Sequence, residues 1–431
     1  MRHLRAFLLN ALRSMTSGDP RYHLWMGSLT AIMLVGGYAY VYQATHGLVV
    51  TGMNNHVSWG LYISNMAFLV GLAAAAVILV LPAYVLHDVD FSRAVLIAEG
   101  VAVSALVMCL GFVMANSPGW PWKWWRLTPV IGLLNWPNSM LAWDVIMLNG
   151  YLVLNITIPA YILFSHYIGH EPSKKKYVPF IYISVMWAVS IHLVTAFLFA
   201  GLPARPFWNS ALLGPRFLAS AFTAGPAFMI LLLGFIRSNS KYAIPEVAIQ
   251  KLATAMTVAA QANLVMLFSE LVYEFYQPTH HSLSARYLFF GLGEHHALVP
   301  WIRTGIALNC AATLTLMIHP LRRHPRVLMA ACATLFVGIW IEKGIGLVIP
   351  GFIPSPLGEI VEYTPTWVEL CVMAGIWAMG LFVLTILVRV ALPIEMGEAR
   401  SPYLEPPPIV RAVRPRATRP RYEEVRAVRK R

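Results

Sequence analysis

Asn135–Asn155, NWPNSMLAWDVIMLNGYLVLN, is an apolar stretch with one carboxylate inside it, Asp144. An acid within an uncharged hydrophobic run is costly, and by default marks a functional position. Tyr151 and Asn155 follow at i+7 and i+11, within about 20° of the Asp144 face of a helix. His166 falls near that face at the far end. A line of Asp, Tyr, Asn and His would be expensive against lipid, so it is expected to face other helices. His192 is the only histidine well inside an apolar segment, at a depth resembling that of Asp144. A carboxylate and an imidazole at matched depth suit a neutral, lipid-soluble ligand whose two oxygens exchange protons together with electrons. A quinone is such a ligand. Titratable partners at its oxygens would do general acid–base chemistry, and the Met, Leu and Trp residues nearby would line a slot for its ring. The plainer alternatives are an acid solvated near the membrane surface and a histidine satisfied in packing.

Other polar residues interrupt apolar segments. Asn263, Glu270 and Glu274 share one helical face, and Arg303 opens the next segment as their natural ion-pair partner. A structural pair is the expected role there, with Glu270 and Glu274 also standing on a candidate proton path. Arg205 and Arg216 flank a long loop, the second at the mouth of a segment. Glu99, Glu342–Lys343 and Glu369 are expected to be interfacial or internally paired. Asn155, His166 and Glu99 together could form half of a proton path that makes turnover electrogenic.

The elements that must position these groups follow from composition. The 431 residues are 58% hydrophobic and 12% charged, whereas soluble domains carry about 25% charged residues. Lipid offers the backbone no hydrogen-bond partner, and alternating barrel strands are absent, so an all-α integral membrane protein is expected. Ten spans are read at 24–43, 58–86, 93–115, 139–165, 178–200, 217–237, 249–275, 297–318, 327–349 and 367–390, each about the length that crosses the hydrocarbon core. Spans two to five (58–200) and six to nine (217–349) should form two four-helix bundles, with the first and last flanking. Most of the 32 Lys and Arg residues fall in residues 1–23, in alternate loops and in the tail 391–431. That asymmetry places both termini in the cytoplasm of a bacterial or archaeal cell. Residues 1–23 read as a basic amphipathic lead on the membrane surface, with no small-residue cleavage site after it. The Pro- and Arg-rich tail would rest on anionic lipid. The net charge of +13 is thus orientation charge, and nucleic acid is not an expected partner. Gly119–Arg126 (GWPWKWWR), Gly201–Arg216, Gln277–Pro300 and Pro350–Pro365 form aromatic loops on the other side, a docking platform for something outside. The four cysteines sit singly in separate segments, with no cluster-binding spacing.

Four stretches, VSWGLYISNMAFLVGLAAAAV (57–77), NWPNSMLAWDVIMLNGYLVLN (135–155), IHLVTAFLFAGLPARPFWNSALLGPRFLASAF (191–222) and the region FYQPTHHS to LVPWIRTGIALN (275–309), resemble the NrfD / polysulfide reductase membrane-subunit family. The likeness is to its ten-span branch, which holds the DsrP, HmcC, QrcD and ActC-type subunits. The resemblance implies a subunit without haem or iron–sulfur cluster of its own. It would exchange electrons between membrane quinone, menaquinone or ubiquinone, and a ferredoxin-like iron–sulfur subunit on the outer face. A multihaem cytochrome c and a second membrane subunit are possible further partners, in sulfur-compound or related anaerobic respiration. Asp144 stands at the family's acidic position in its WD motif, and His192 at the histidine before the long outer loop. Arg205 and Arg216 match a GRPFWN…APRF-type pattern, while SPGWPWKWWR at 117–126 replaces the GRP-containing motif that many members carry. The rival from another class is a secondary transporter, since buried acids and Gly/Pro interruptions also suit one. Against it, the charges gather near one face instead of the midplane.

Overall fold

The computed structural model describes residues 1–74, 76–85, 88–117, 135–202, 204–276, 279 and 282–404. The expected loop 119–126, most of 277–281 and the tail beyond 404 lie outside the described residues. Among the described residues the chain is helical, with no strand beyond one isolated bridge between Leu292 and His295.

A short helix α1 (Arg2–Thr16) precedes α2 (Pro20–His46), which starts with Pro20 behind the Asp19 cap. Proline suits that position because its missing N–H would be unsatisfied anyway. Then come α3 (Leu61–Tyr84), α4 (Val95–Asn116), α5 (Met140–Tyr167), α6 (Lys174–Ala200), α7 (Leu213–Asn239) and α8 (Glu246–Tyr276). A short α9 (Ser282–Phe290) leads to α10 (Val299–Met317), a one-turn α11 (His319–Arg323), α12 (Pro325–Phe352) and α13 (Trp367–Glu395). Among the described residues nine helices are long and apolar enough to cross a membrane. The tenth expected span is α10. Its 19 residues reach about 28 Å, but Arg303, Asn309 and several threonines dilute its hydropathy. The chain is a multi-pass integral membrane protein.

Helices α3, α4, α5 and α6 pack around one axis, and α7, α8, α10 and α12 around a second. The groups meet where α3 and α6 lie against α7 and where α3 touches α12. α13 packs on α4 and carries α2 on its outer side. Burial follows this layout: 83% of the apolar window of α4 is inside, against 17% for α2. Side chains such as Met186, Phe235, Val258 and Val265 project outward, as a lipid-facing surface requires. Loops 47–60, 200–212, 291–298 and 353–366 gather at one end, here the loop-rich end. Arg- and Lys-bearing connections gather at the other, the basic end.

Two helices carry a π-helical turn, at Leu81–Val85 where α3 ends and at Ile341–Ile345 within α12. Such turns recur at functional positions. Asn65 on α3 ties the layers together: its Oδ1 accepts from the indoles of Trp340 (3.1 Å) and Trp377 (2.9 Å) on α12 and α13.

Candidate functional site

Asp144 sits just past the first turn of α5, which Ser139 caps by accepting from the Ala142 N–H. Its partner helix α6 is held in register by Trp187. The indole donates to the Met147 carbonyl (2.9 Å) and lies over Gly150, where a Cβ would come within 2.4 Å of the ring. Two turns further toward the loop-rich end, the same register brings Thr195 to Asp144. The Thr195 hydroxyl lies 2.6 Å from Asp144 Oδ1 and 2.8 Å from the Ile191 carbonyl. Asp144 and His192 are both fully buried, which removes the solvated-acid alternative. Among the described residues Asp144 Oδ2 has no hydrogen-bond partner, and neither has His192 Nε2.

A carbonyl can only accept, so His192 Nδ1, 2.9 Å from the Ala188 oxygen, carries the ring hydrogen in the neutral imidazole. Nε2 therefore presents a lone pair. His192 lies three residues before Thr195 on α6, so the orphaned imidazole nitrogen belongs to the same helix as the threonine that holds the Asp144 carboxylate. Orphaned buried polar atoms are rare enough to need a reason. Thr195, which orients the carboxylate, was not among the expected site residues. A threonine in an apolar helix usually bonds its own i−4 carbonyl, and this one does so as well.

Toward the basic end, Tyr151 and Asn155 are buried, with Asn155 Nδ2 donating to the Tyr151 carbonyl (2.9 Å). The Tyr151 phenol lies beside the side chains of Asn155 and Ser184. Glu99 on α4 is 3% exposed, and its Oε2 has no partner among the described residues. His166 does not join this line. It is drawn away to Glu395 on α13, at 2.7 Å.

The second bundle departs most from expectation. Arg303 does not pair with Glu270 or Glu274: its guanidinium donates to the Phe289 carbonyl at 3.0 and 3.1 Å and covers the Phe290 ring. The partner of Glu270 is Arg216, which also bonds Glu342 Oε1 at 3.0 Å. The physical reason is that α7 begins at Leu213, so Arg216 lies inside the helix and points into the bundle. Glu342 accepts further from Asn263 (3.2 Å) and Asn309 (2.9 Å). It is thus internally bound, but not by its neighbour Lys343.

Arg205 stays away from all of these. It donates to the Phe352 carbonyl (3.1 Å) and stacks on that ring, a clamp between two loops of the loop-rich end. Trp208 is fully buried there, donating to the Leu347 carbonyl and packed among Trp59, Phe199 and Phe352. Glu369 is internally satisfied. It accepts from Gly52 N–H (2.7 Å), Thr366 N–H (3.0 Å) and the Tyr363 hydroxyl (2.5 Å). Among the described residues no group of three His, Cys, Asp or Glu could hold a metal ion.

A family model described as "Polysulphide reductase, NrfD" matches residues 49–354. A selenate reductase subunit of Mesobacillus selenatarsenatis is 23% identical, over 85% of this chain and 93% of its own length. An Hdr-like menaquinol oxidoreductase integral membrane subunit of Archaeoglobus fulgidus is 22% identical, over 81% of this chain and 88% of its own. The family match covers both bundles, from the loop before α3 to the end of α12.

Proposed function

The chain belongs to the polysulphide reductase NrfD family, and on that premise we propose that it is the quinone-reactive membrane subunit of a redox complex. The observation that carries the reading is the pair of orphaned, buried groups, Asp144 Oδ2 and His192 Nε2. Both fit the oxygens of a quinol, which supplies two electrons and two protons when bound. The relative from Archaeoglobus fulgidus is named a menaquinol oxidoreductase subunit, which supports menaquinol over ubiquinol. Electrons pass to an iron–sulfur subunit docked at the loop-rich end, with a multihaem cytochrome c and a second membrane subunit as further members, in respiration of sulfur compounds or related acceptors.

The chain's own residues supply the proton chemistry. His192 Nε2 accepts one proton while Nδ1 stays on the Ala188 carbonyl, so the ring need not turn. Asp144 accepts the other. Thr195 serves both of its charge states: the hydroxyl donates to the carboxylate, or accepts from the carboxylic acid while donating to the Ile191 carbonyl. The neighbouring hydroxyl thus stays bonded whichever form is present, which avoids the cost of an unpaired buried donor. Tyr151, Asn155, Ser184 and Glu99 extend polarity from this site toward the basic end, as a proton route in the first bundle. The basic end faces the cytoplasm of a prokaryotic cell.

The test is quinol oxidation by the assembled complex. Asp144→Asn and His192→Ala should each lower turnover by about a hundredfold or more, the usual weight of general acid–base groups. Unchanged turnover in both variants would remove the site assignment.

A further inference from the structure

The second bundle holds a charge cluster that the quinone site leaves unused. Glu342 and Lys343 are consecutive residues of the π-helical turn in α12, and both are 3% exposed. The carboxylate oxygens of Glu342 are already taken by Arg216, Asn263 and Asn309. Among the described residues Lys343 Nζ has no hydrogen-bond partner, and its close electrostatic contact is the face of Phe217, 4.8 Å away. A desolvated ammonium without acceptors is costly. Either water supplies the acceptors or the proton leaves.

Lys343 lines two cavities. One of about 40 Å³ is shared with Arg216, Glu270, Glu274 and Glu342. The other, about 10 Å³, lies between α3 and α7 against Ala67, Gly71, Ser220 and Ala224. The first has room for a short file of waters and the second for about one. Glu274 Oε2, buried and without a partner among the described residues, belongs to the wall of the larger cavity. Lys343 stands at the seam between the bundles: its ammonium lies over Phe217 of α7, and that ring meets Phe199 of α6, the helix that carries His192. The ionisable groups around it are Arg216 from α7, Glu270 and Glu274 from α8, Glu342 from its own turn and His192 from α6.

We propose that Lys343 is a proton-exchanging residue that couples the two bundles, holding a proton on Nζ and releasing it through the larger cavity to the Glu274 carboxylate. The inference rests on the quinone reading for its trigger. When His192 Nε2 takes up a proton, the new positive charge repels the ammonium of Lys343. An Nζ–H bond breaks, the proton passes along cavity water to Glu274 Oε2, and a neutral amine remains. When His192 loses its proton, the amine takes one proton from water of the basic end by way of the smaller cavity beside Ser220, and the Glu274 acid gives its proton to water at the loop-rich end, which restores both groups. No electron or further reactant is needed.

The experiment uses the assembled complex in sealed vesicles, with quinol oxidation and proton movement recorded together. Lys343→Gln should leave quinol oxidation near the wild-type rate while lowering protons moved per electron by about twofold or more, since the amide cannot titrate. Lys343→Arg keeps the charge and the fold but does not release its proton, and should show the same loss. An unchanged proton yield per electron in Lys343→Arg overturns the proposal. So does a proportional fall of both rates at constant yield, which marks a structural lysine, or a wild-type complex that moves no protons beyond those of quinol chemistry. Asp144→Asn, run in parallel, reports on the quinone reading separately, because it lowers oxidation itself.

Discussion

At the scale of single residues, the hydroxyl of Thr195 is the part of the site that can be varied with least disturbance. Thr195→Val keeps the shape and removes the hydrogen bond that orients the Asp144 carboxylate. Turnover of quinol by the complex should fall about tenfold, less than the hundredfold or more of a group that exchanges the proton itself, and Thr195→Ser should recover most of it. A valine variant as active as wild type would show that Asp144 needs no such support. Asp144 and His192 were legible in the sequence as buried polar groups, because charge and imidazole are rare within apolar segments; their roles remain a proposal. Thr195 was not legible. Lys343 was visible as a charge but not as an unpartnered one, because Glu342 beside it suggested a pair. Only the fold shows that Arg216 and two asparagines take that carboxylate first.

Helices positioned by close contacts carry their own prediction. Gly150 leaves room for the Trp187 ring, and that contact sets the register which delivers Thr195 to Asp144. Gly150→Leu should cost about 1–3 kcal/mol through overpacking, read as a lower unfolding temperature in detergent, and should lower quinol turnover in the same variant. At the basic end, Lys251 Nζ bonds Asp88 (2.5 Å) and Asp90 (2.8 Å), joining α8 to the connection before α4. The hydrogen bond from Lys251 holds the Asp88 carboxyl below its ordinary value of 3.8. The contribution to stability is therefore complete above that value and is lost as pH falls through the lower, folded value. Thermal unfolding followed from pH 7 down to about pH 3 should show a drop at the acid end that Lys251→Met lessens. The helices were largely readable from apolar length. Their interior pairings were not, because Arg303 and Arg216 offered equivalent charges to the α8 acids. The choice depended on where α7 begins, a matter of three or four residues at a helix end, the least certain feature of any sequence reading.

For the whole molecule, the separation of a loop-rich end from a basic end carries the proposed orientation. Cysteine placed at Leu357, which is 87% exposed, should react with a membrane-impermeant thiol reagent on intact spheroplasts. Cysteine at Ser17, at the basic end, should react only after the membrane is opened. The reverse pattern would invert the orientation and move the docking partner to the cytoplasm. The alternation of charged loops made the arrangement of spans legible, whereas nothing in it foretold how the first and last long helices meet. α2 and α13 approach so closely that a Cβ on Gly36 would come within 2.6 Å of the Gly375 Cα. During synthesis, α2 therefore enters the bilayer long before its main neighbour exists, and must wait there with its glycine groove open to lipid. Closure of that groove is a late event in biogenesis. A chain cut short before α13 leaves the Gly36 face of α2 without the helix that covers it.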